Sequence, residues 1–233
     1  MLFGMRLVFA SDTHARHASL HVPDGDVFIH CGDLTMGGKL SDISAFGTWV
    51  HALPHQHKIV IAGNHDFAFE RSPERAREAL GEGTHGLAYL EDSALSLEGL
   101  KLYGSPYQPW FYDWAFNLQR GPQLAAKWSA IPNDTDVLIT HGPPMWIRDE
   151  VRGDHVGCAD LWNRVAQIRP LVHAFGHIHE GSGVAERDGI YFINASICDA
   201  GYQPVHPCRV VDIDLATRRV EIVARNVSGL PDT

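Results

Sequence analysis

Five short clusters of oxygen-bearing and imidazole side chains punctuate the chain. They are Asp12 and His14 in "DTH", Asp33 in "GD", Asn64, His65 and Asp66 in "GNHD", His141 in "HGPP", and His177 and His179 in "GHIH". Carboxylate, amide and imidazole without cysteine suit Mn, Fe or Zn and argue against a closed structural zinc site. Asp12, His14, Asp33, Asn64, His141, His177 and His179 make seven candidate ligands, more than one transition metal normally takes from protein. Two divalent metal ions sharing one bridging carboxylate fit that count better. Metals ~3.5–4 Å apart clamp a phosphoryl group and supply a hydroxide at neutral pH.

Every cluster closes an apolar run: "RLVFAS", "DVFIHCG", "KIVIAG", "DVLIT" and "LVHAFG". Read as strands, these runs bring their carboxyl ends to one side of a sheet, where α/β proteins bind ligands. In extended backbone, residues two apart face the same way, so Asp12 with His14 and His177 with His179 can each present a pair to one cavity. Gly32, Gly63, Gly142 and Gly176 sit beside the clusters, where a tight turn or a close backbone approach is needed.

The elements between the clusters predict an α/β chain. "KLSDISAFGTWVHAL" is an amphipathic helix, and "SPERAREAL" begins another with Ser72 as N-cap and Pro73 at its first position. Further helices are expected near "QLAAKWSAI" and "CADLWNRVAQI". "LAYL" and "LKLYGS" read as short strands, and the tail, with "GIYFINAS", "CRVVDIDL" and "RRVEIVAR", as β-rich. Strand–helix alternation in the first third points to a sheet with parallel, buried members. No repeat, low-complexity tract or linker divides residues 1–233, so one domain is expected.

Composition narrows the function class. No apolar run is long enough to cross a bilayer, and "MLFGMRLVFASDTH" reads as a first strand rather than a signal peptide, which leads to the expectation of a cytoplasmic protein. Cys31, Cys158, Cys198 and Cys208 show no CxxC spacing and read as free thiols. The 19 Lys+Arg against 28 Asp+Glu give a net charge of -9, which argues against duplex nucleic acid as a partner. A small phosphate substrate stays compatible, since bound cations reverse the local sign at a carboxylate site.

The ordered set "DTH", "GD", "GNHD", "HGPP" and "GHIH", spanning residues 12 to 179, resembles the calcineurin-like metallophosphoesterase superfamily. More narrowly, "YGSPYQPWFYDWAFNLQRG", "DVLITHGPP", "FGHIHEGSG" and "NASICDAGYQPVHP" are similar to the small metallophosphodiesterase-domain (MPPED-like) family. The resemblance implies a four-layer fold, a central β-sandwich flanked by helices, with a two-metal centre between loops. It assigns Asp12, His14, Asp33 and His179 to the first metal and Asp33, Asn64, His141 and His177 to the second, with Asp33 as the bridge. It makes His65 the catalytic residue that contacts the phosphate and protonates the leaving oxygen, while a bridging hydroxide attacks phosphorus. Manganese is the expected metal, with iron or zinc as alternatives. The implied substrate is a small phosphate ester, such as a nucleotide or cyclic nucleotide. Asp66 either supports the shell around the site or caps a turn; the supporting position is preferred.

Departures from the wider pattern are informative. Protein Ser/Thr phosphatases continue the second block as GDxVDRG, whereas "GDLTMGG" puts Met36 where an acid would orient the catalytic histidine. Purple acid phosphatases place a tyrosine ligand there, which Met36 also excludes. Some MPPED-like proteins have glycine at the position of His177; this chain keeps the full set, so a competent enzyme is expected. A nuclease, a phosphoprotein phosphatase and a non-catalytic nucleotide- or metal-binding scaffold are the alternatives. The ten other histidines read as surface or satisfied core residues. Trp110, Phe111, Tyr112 and Trp114 read as loop core, with base stacking as the alternative. Arg148 and Arg152 are equally compatible with phosphate contact and with plain solvation.

Overall fold

The computed structural model describes residues 4–223. The strands and helices follow one another as β1 (Gly4–Ala10), β2 (Val27–Cys31), α1 (Leu40–His51), β3 (His57–Ile61), α2 (Phe67–Arg71), α3 (Pro73–Leu80), β4 (Leu87–Tyr89), β5 (Ser93–Leu97) and β6 (Leu100–Ser105). They continue as β7 (Gln108–Pro109), β8 (Asn117–Leu118), α4 (Pro122–Ser129), β9 (Val137–Thr140), β10 (Glu150–Val151), β11 (Asp154–His155), α5 (Ala159–Ile168) and β12 (Val172–Phe175). The last are β13 (Gly183–Arg187), β14 (Ile190–Asn194), β15 (Arg209–Asp214) and β16 (Val220–Ile222).

Two six-stranded mixed sheets form, in the orders β16-β15-β1-β2-β3-β4 and β13-β14-β12-β9-β6-β5. The central strands of each pair in parallel, β1 to β4 in one sheet and β14, β12, β9 and β6 in the other, with antiparallel partners at the edges. The apolar runs look unbroken in sequence because both faces of these strands are covered. In β2, Val27, Ile29 and Cys31 point between the sheets, while Phe28 points to a second apolar layer shared with Ile43, Phe46, Val50, Ala76 and Leu80 of α1 and α3. In β12, Val172 and Ala174 face inward and Phe175 meets Leu124, Trp128, Leu161 and Val165 of α4 and α5. The layers are therefore helix, sheet, sheet, helix.

The elements differ from expectation in three places. The short helix α2 fills the residues between "GNHD" and "SPERAREAL", to which the sequence assigned no element, and the two-stranded ribbons β7–β8 and β10–β11 carry too few residues for any periodicity to show. Ser72 is the N-cap residue of α3, yet its side chain makes no capping bond. Residues 1–3 of the first strand segment and Ala224 and Arg225 of "RRVEIVAR" lie outside the described residues. All four cysteines are buried. Among the described residues no helix is long and apolar enough to cross a membrane.

Two histidines sit in the helix-facing layers with no exposure, His30 in β2 and His173 in β12. Each meets a threonine, His30 Nε2 with Thr13 Oγ1 at 3.0 Å and His173 Nε2 with Thr140 Oγ1 at 2.8 Å. The other ring nitrogen of each lacks a partner. Burial pushes both imidazoles down to about 3, whereas the unfolded chain takes up protons at about 6.5. As pH falls below about 6.5, unfolded chains bind protons that the folded state refuses, so stability declines towards pH 3 by up to ~1.4 kcal/mol per pH unit for each histidine. Urea unfolding at pH 7 and pH 5 tests this: His173→Gln should shrink the difference between the two midpoints, and an unchanged difference refutes the assignment.

Candidate metal centre

The five clusters converge at one end of the sandwich, where the carboxyl ends of β1, β2, β3, β9 and β12 meet. A parallel bridge between Ser11 and Ser196 ties the two sheets there. Asp12, His14, Asp33, Asn64, His65, Asp66, His141 and His179 are all buried, and His177 is half-buried.

The ligand pairs do not reach the site by strand alternation. β1 stops at Ala10 and β12 at Phe175. Asp12, His14, Asp33 and His177 all adopt left-handed backbone, with φ of 54°, 43°, 57° and 67°. L-residues adopt that conformation at a cost of roughly 1–2 kcal/mol each, and four such residues around one cavity mark strain held in place by the surrounding fold. His177 and His179, expected from strand parity to face the same way, consequently join different groups. The parity argument fails because the strand has ended before either residue begins.

On one side, Asp12 Oδ1 lies 3.5 Å from His179 Nε2 and 4.0 Å from His14 Nε2, and the two imidazole Nε2 atoms stand 3.2 Å apart. On the other, Asn64 Oδ1 lies 2.9 Å from His141 Nε2 and 2.8 Å from His177 Nδ1. Asp33 stands between them: its Oδ2 is 3.5 Å from His141 Nε2, 3.8 Å from His14 Nε2 and 3.9 Å from His65 Nε2. Potential ligand atoms of Asp12, His14 and His179, of His14, Asp33 and His65, and of Asp12, Asp33 and His141 all fall within 4.8 Å of one another in each trio.

The donor set fits cations. The outer nitrogens of the imidazoles face carbonyls, His14 Nδ1 with Thr35 O at 3.4 Å, His141 Nδ1 with Cys31 O at 3.0 Å and His179 Nδ1 with Asp199 O at 2.8 Å. A carbonyl only accepts, so each Nδ1 carries a proton, which leaves Nε2 as the nitrogen of each ring that a metal can take. The Nε2 atoms of His14 and His179, 3.2 Å apart, need a proton or a cation between or beside them. Burial opposes charge on His141 and His179, but Asp33 and Asp12 respectively outweigh it and push both up to about 9. His177 is pushed down to about 3, by burial first and by His141 second. Asp12 and Asp33 are held well below the carboxylate range against their burial, chiefly by His179 and His141 respectively.

Glycines enter where backbone must pass close to these groups. A Cβ on Gly176 would stand 2.1 Å from Asp12 Oδ2, and one on Gly63 would stand 2.3 Å from Asp33 Oδ1. Gly142, also singled out by its position, meets nothing closer than the Gln108 Cβ at 3.6 Å, so no steric demand explains it.

Asp66 precedes α2 without capping it. Its carboxylate accepts from the backbone N–H groups of Gly63, Leu34 and Thr35 and from the Thr35 hydroxyl, at 2.9 to 3.0 Å. It thereby ties the Asp33 loop to the Asn64 loop. Burial and the charge of Asp33 push it up to about 6 despite those donors, so it is ionised at neutral pH. Asp66→Ala should cost roughly 3 kcal/mol or more of stability, from four stranded donors, and lower metal affinity ~10–100-fold. Calorimetric metal titration checks the second effect; unchanged affinity in a folded variant refutes the role.

His65 is oriented differently from the acid-assisted arrangement. Its Nδ1 donates to the backbone carbonyl of Met36 at 3.0 Å, so the residue that displaces the acid supplies a neutral acceptor in its place. Nε2 is left facing the site. The Trp114 ring packs on the imidazole with centroids 4.1 Å apart.

A cleft of about 430 Å³ opens over the cluster, lined by Asp33, Asn64, His65, His177 and His179 and walled by Trp110, Phe111, Trp114 and Tyr202. Trp110, Phe111 and Trp114 are therefore wall rather than loop core, Trp110 and Phe111 each 52% exposed, while Tyr112, 73% exposed, does not line the cleft. Arg120 also lines the cleft, and its guanidinium donates to Val156 O and Gly157 O, both at 2.6 Å. Arg148 and Arg152 do not line it. Sequence reasoning did not single out Tyr202, Arg120 or Ser196, whose hydroxyl donates to Asp12 Oδ2 at 2.8 Å. Tyr202 and Ser196 do lie within "NASICDAGYQPVHP", so the similarity of that segment was the available signal.

Two sheets flanked by helices, with buried Asp and His groups gathered at the strand ends, define a metal-dependent phosphoesterase architecture. Residues 5–181 match the calcineurin-like phosphoesterases, and the chain belongs to that family. It is similar to Metallophosphoesterase domain-containing protein 1 of Homo sapiens, with 42% identity over 230 residues, covering 89% of this chain and 71% of that protein. A UPF0046 protein of Caenorhabditis elegans is 40% identical over 209 residues, covering 85% of this chain and 72% of its own length. One solved structure superposes with a TM-score of 0.66 at 14% identity, covering 95% of this chain and 99% of its own. The crystal structure of TT1561 of Thermus thermophilus does so with a TM-score of 0.56 at 14% identity, over 96% and 99%. The last two likenesses concern the fold alone.

Proposed function

We propose that this metallophosphoesterase is a phosphodiesterase for small esters, nucleotides or cyclic nucleotides among them, working with two divalent metal ions. Asp12, His14, Asp33 and His179 would hold one ion and Asp33, Asn64, His141 and His177 the other. Manganese is the favoured metal, with iron or zinc as alternatives. The observation that carries this reading is Asp33, whose single Oδ2 faces imidazoles from three separate loops within 3.9 Å. When bound, the metals neutralise phosphoryl charge and make water nucleophilic at neutral pH.

The chain's own residues account for the rest. His65, buried at the cleft floor, keeps one nitrogen on the Met36 carbonyl and turns Nε2 to where a leaving oxygen would depart. That is the position of a general acid. Trp114 holds the imidazole plane, and Trp110 and Phe111 give flat apolar walls that suit a base or another planar group. Among the described residues Arg120 is the one Lys or Arg side chain in the cleft lining, and two carbonyls engage it. A substrate with one singly charged phosphate suits that lining better than a polyphosphate. The net charge of -9 speaks against a nuclease, and the Met36 departure against a phosphoprotein phosphatase.

The test combines metal analysis of the purified protein with rates on matched mono- and diesters, cyclic nucleotides included. His65→Ala should retain its metals while turnover falls ~10²–10⁴-fold. A scaffold would hydrolyse none of the esters before or after the change. Turnover that survives His65→Ala unchanged would remove that residue from the mechanism.

A further inference from the structure

Outside the cleft, two guanidiniums meet at consecutive residues. Ser182 follows the turn at His179–Gly181, and its hydroxyl donates to Ser196 O at 2.8 Å. Arg209, the first residue of β15, donates from Nη2 to Ser182 Oγ at 3.2 Å, and its Nε is buried without an acceptor. Arg148 approaches from the other direction. Its Cζ, Nη1 and Nη2 lie 3.0 to 3.1 Å from where a Cβ on Gly183 would stand, so that glycine is the seat of the guanidinium. Gly183 has φ +144, which a side chain would strain as well as crowd.

The charges are not neutralised. Among the described residues neither Arg148 nor Arg209 forms an ion pair. Burial and then the charge of Arg148 pull Arg209 below its ordinary value, and no carboxylate counts among the groups that act on it. His206 adds no charge at neutral pH, since burial and then Arg209 lower it, with Asp199 acting in the opposite sense. Two like charges gathered around one serine, with a buried N–H left open, make an arrangement that an anion completes. Two full positive charges match a dianion, whereas one carboxylate would answer only one of them.

We propose that Arg148 and Arg209, flanking Ser182 and Gly183, form a second anion-binding site that takes a tetrahedral dianion such as inorganic phosphate. The site is separate from the metal cleft, since neither arginine lines it. It is joined to that cleft by a short run of bonds, from Ser182 Oγ to Ser196 O and from Ser196 Oγ to Asp12 Oδ2, each 2.8 Å long. Both Arg148 and Arg152 looked equally suited to phosphate from sequence; only Arg148 has a guanidinium partner.

Inorganic phosphate is titrated calorimetrically into the metal-loaded wild type, Arg148→Met, Arg209→Met and His177→Ala. Phosphate at the arginine pair predicts an affinity at least tenfold weaker in both Arg variants and unchanged in His177→Ala. The converse pattern, loss in His177→Ala with normal binding in the Arg variants, would place phosphate in the cleft and overturn the proposal. So would wild type without saturable binding. Arg148 is exposed, so Arg148→Met keeps the test decisive should Arg209→Met fail to fold. The assay does not depend on identifying the ester substrate, so its failure is distinct from failure of the phosphodiesterase reading.

Discussion

Asp33→Asn is expected to leave a folded protein that neither binds its metals in the normal ratio nor turns over ester. Asn preserves the shape and can still accept the His65 backbone N–H, which now bonds Asp33 Oδ1 at 2.8 Å. What it removes is the negative charge that faces His14, His65 and His141 together. Histidine ligands are neutral when they bind metal, so Asp12 and Asp33 supply all the formal negative charge among the seven proposed ligands. Losing half of it should weaken both positions, because the shared carboxylate belongs to both. Thermal unfolding with and without metal reads this directly. A ligand at 100 times its dissociation constant stabilises by about 2.7 kcal/mol, a shift wild type should show and Asp33→Asn should not. Turnover should fall by about 10²–10³, the range seen when a principal electrostatic contributor is removed. Retention of both metals by Asp33→Asn would rule out a bridging role.

The second large effect separates a ligand from its backbone. His177 has φ +67, a conformation that glycine adopts freely and alanine does not. His177→Gly and His177→Ala both delete the imidazole that meets Asn64 Oδ1. Both should therefore lose at least ~10-fold in affinity for one metal, as even outer contacts to metal ligands are worth that much, and turnover should fall with it. Their stabilities should differ in the opposite sense to chemical conservatism: the glycine variant should be more stable than the alanine variant by about 1 kcal/mol. Denaturant midpoints measured in chelator give the comparison free of metal. Equal midpoints would show that the left-handed backbone at 177 carries no strain.

The legibility of the centre in sequence has a physical cause. Asp12, Asp33, Asn64, His141 and His177 follow strands whose two buried faces require unbroken apolar runs, so polar residues at their ends stand out. The parallel buried strands were readable for the same reason, whereas the two-sheet layering came with the family resemblance. What sequence could not supply was the manner of convergence, because φ at Asp12, His14, Asp33 and His177 is set by tertiary contacts such as the His177 N–H on Asp12. Nor could it show that Trp110 and Phe111 wall a cleft rather than fill a loop. An aromatic residue reads the same in either place until the opposite wall is known. His173 is a similar case: it lies on the helix-facing side of β12, and strand parity cannot extend from it to His177 once the strand has ended.

The fork of Arg120 sets a property of the cleft that none of its other lining residues does. One planar guanidinium grips the carbonyls of Val156 and Gly157, so the wall following β8 and the loop preceding α5 are clamped at a fixed gauge. A guest thicker than that gap would have to break two charge-assisted bonds. Such a clamp would limit the thickness of a guest before its length, as a slot gauge does.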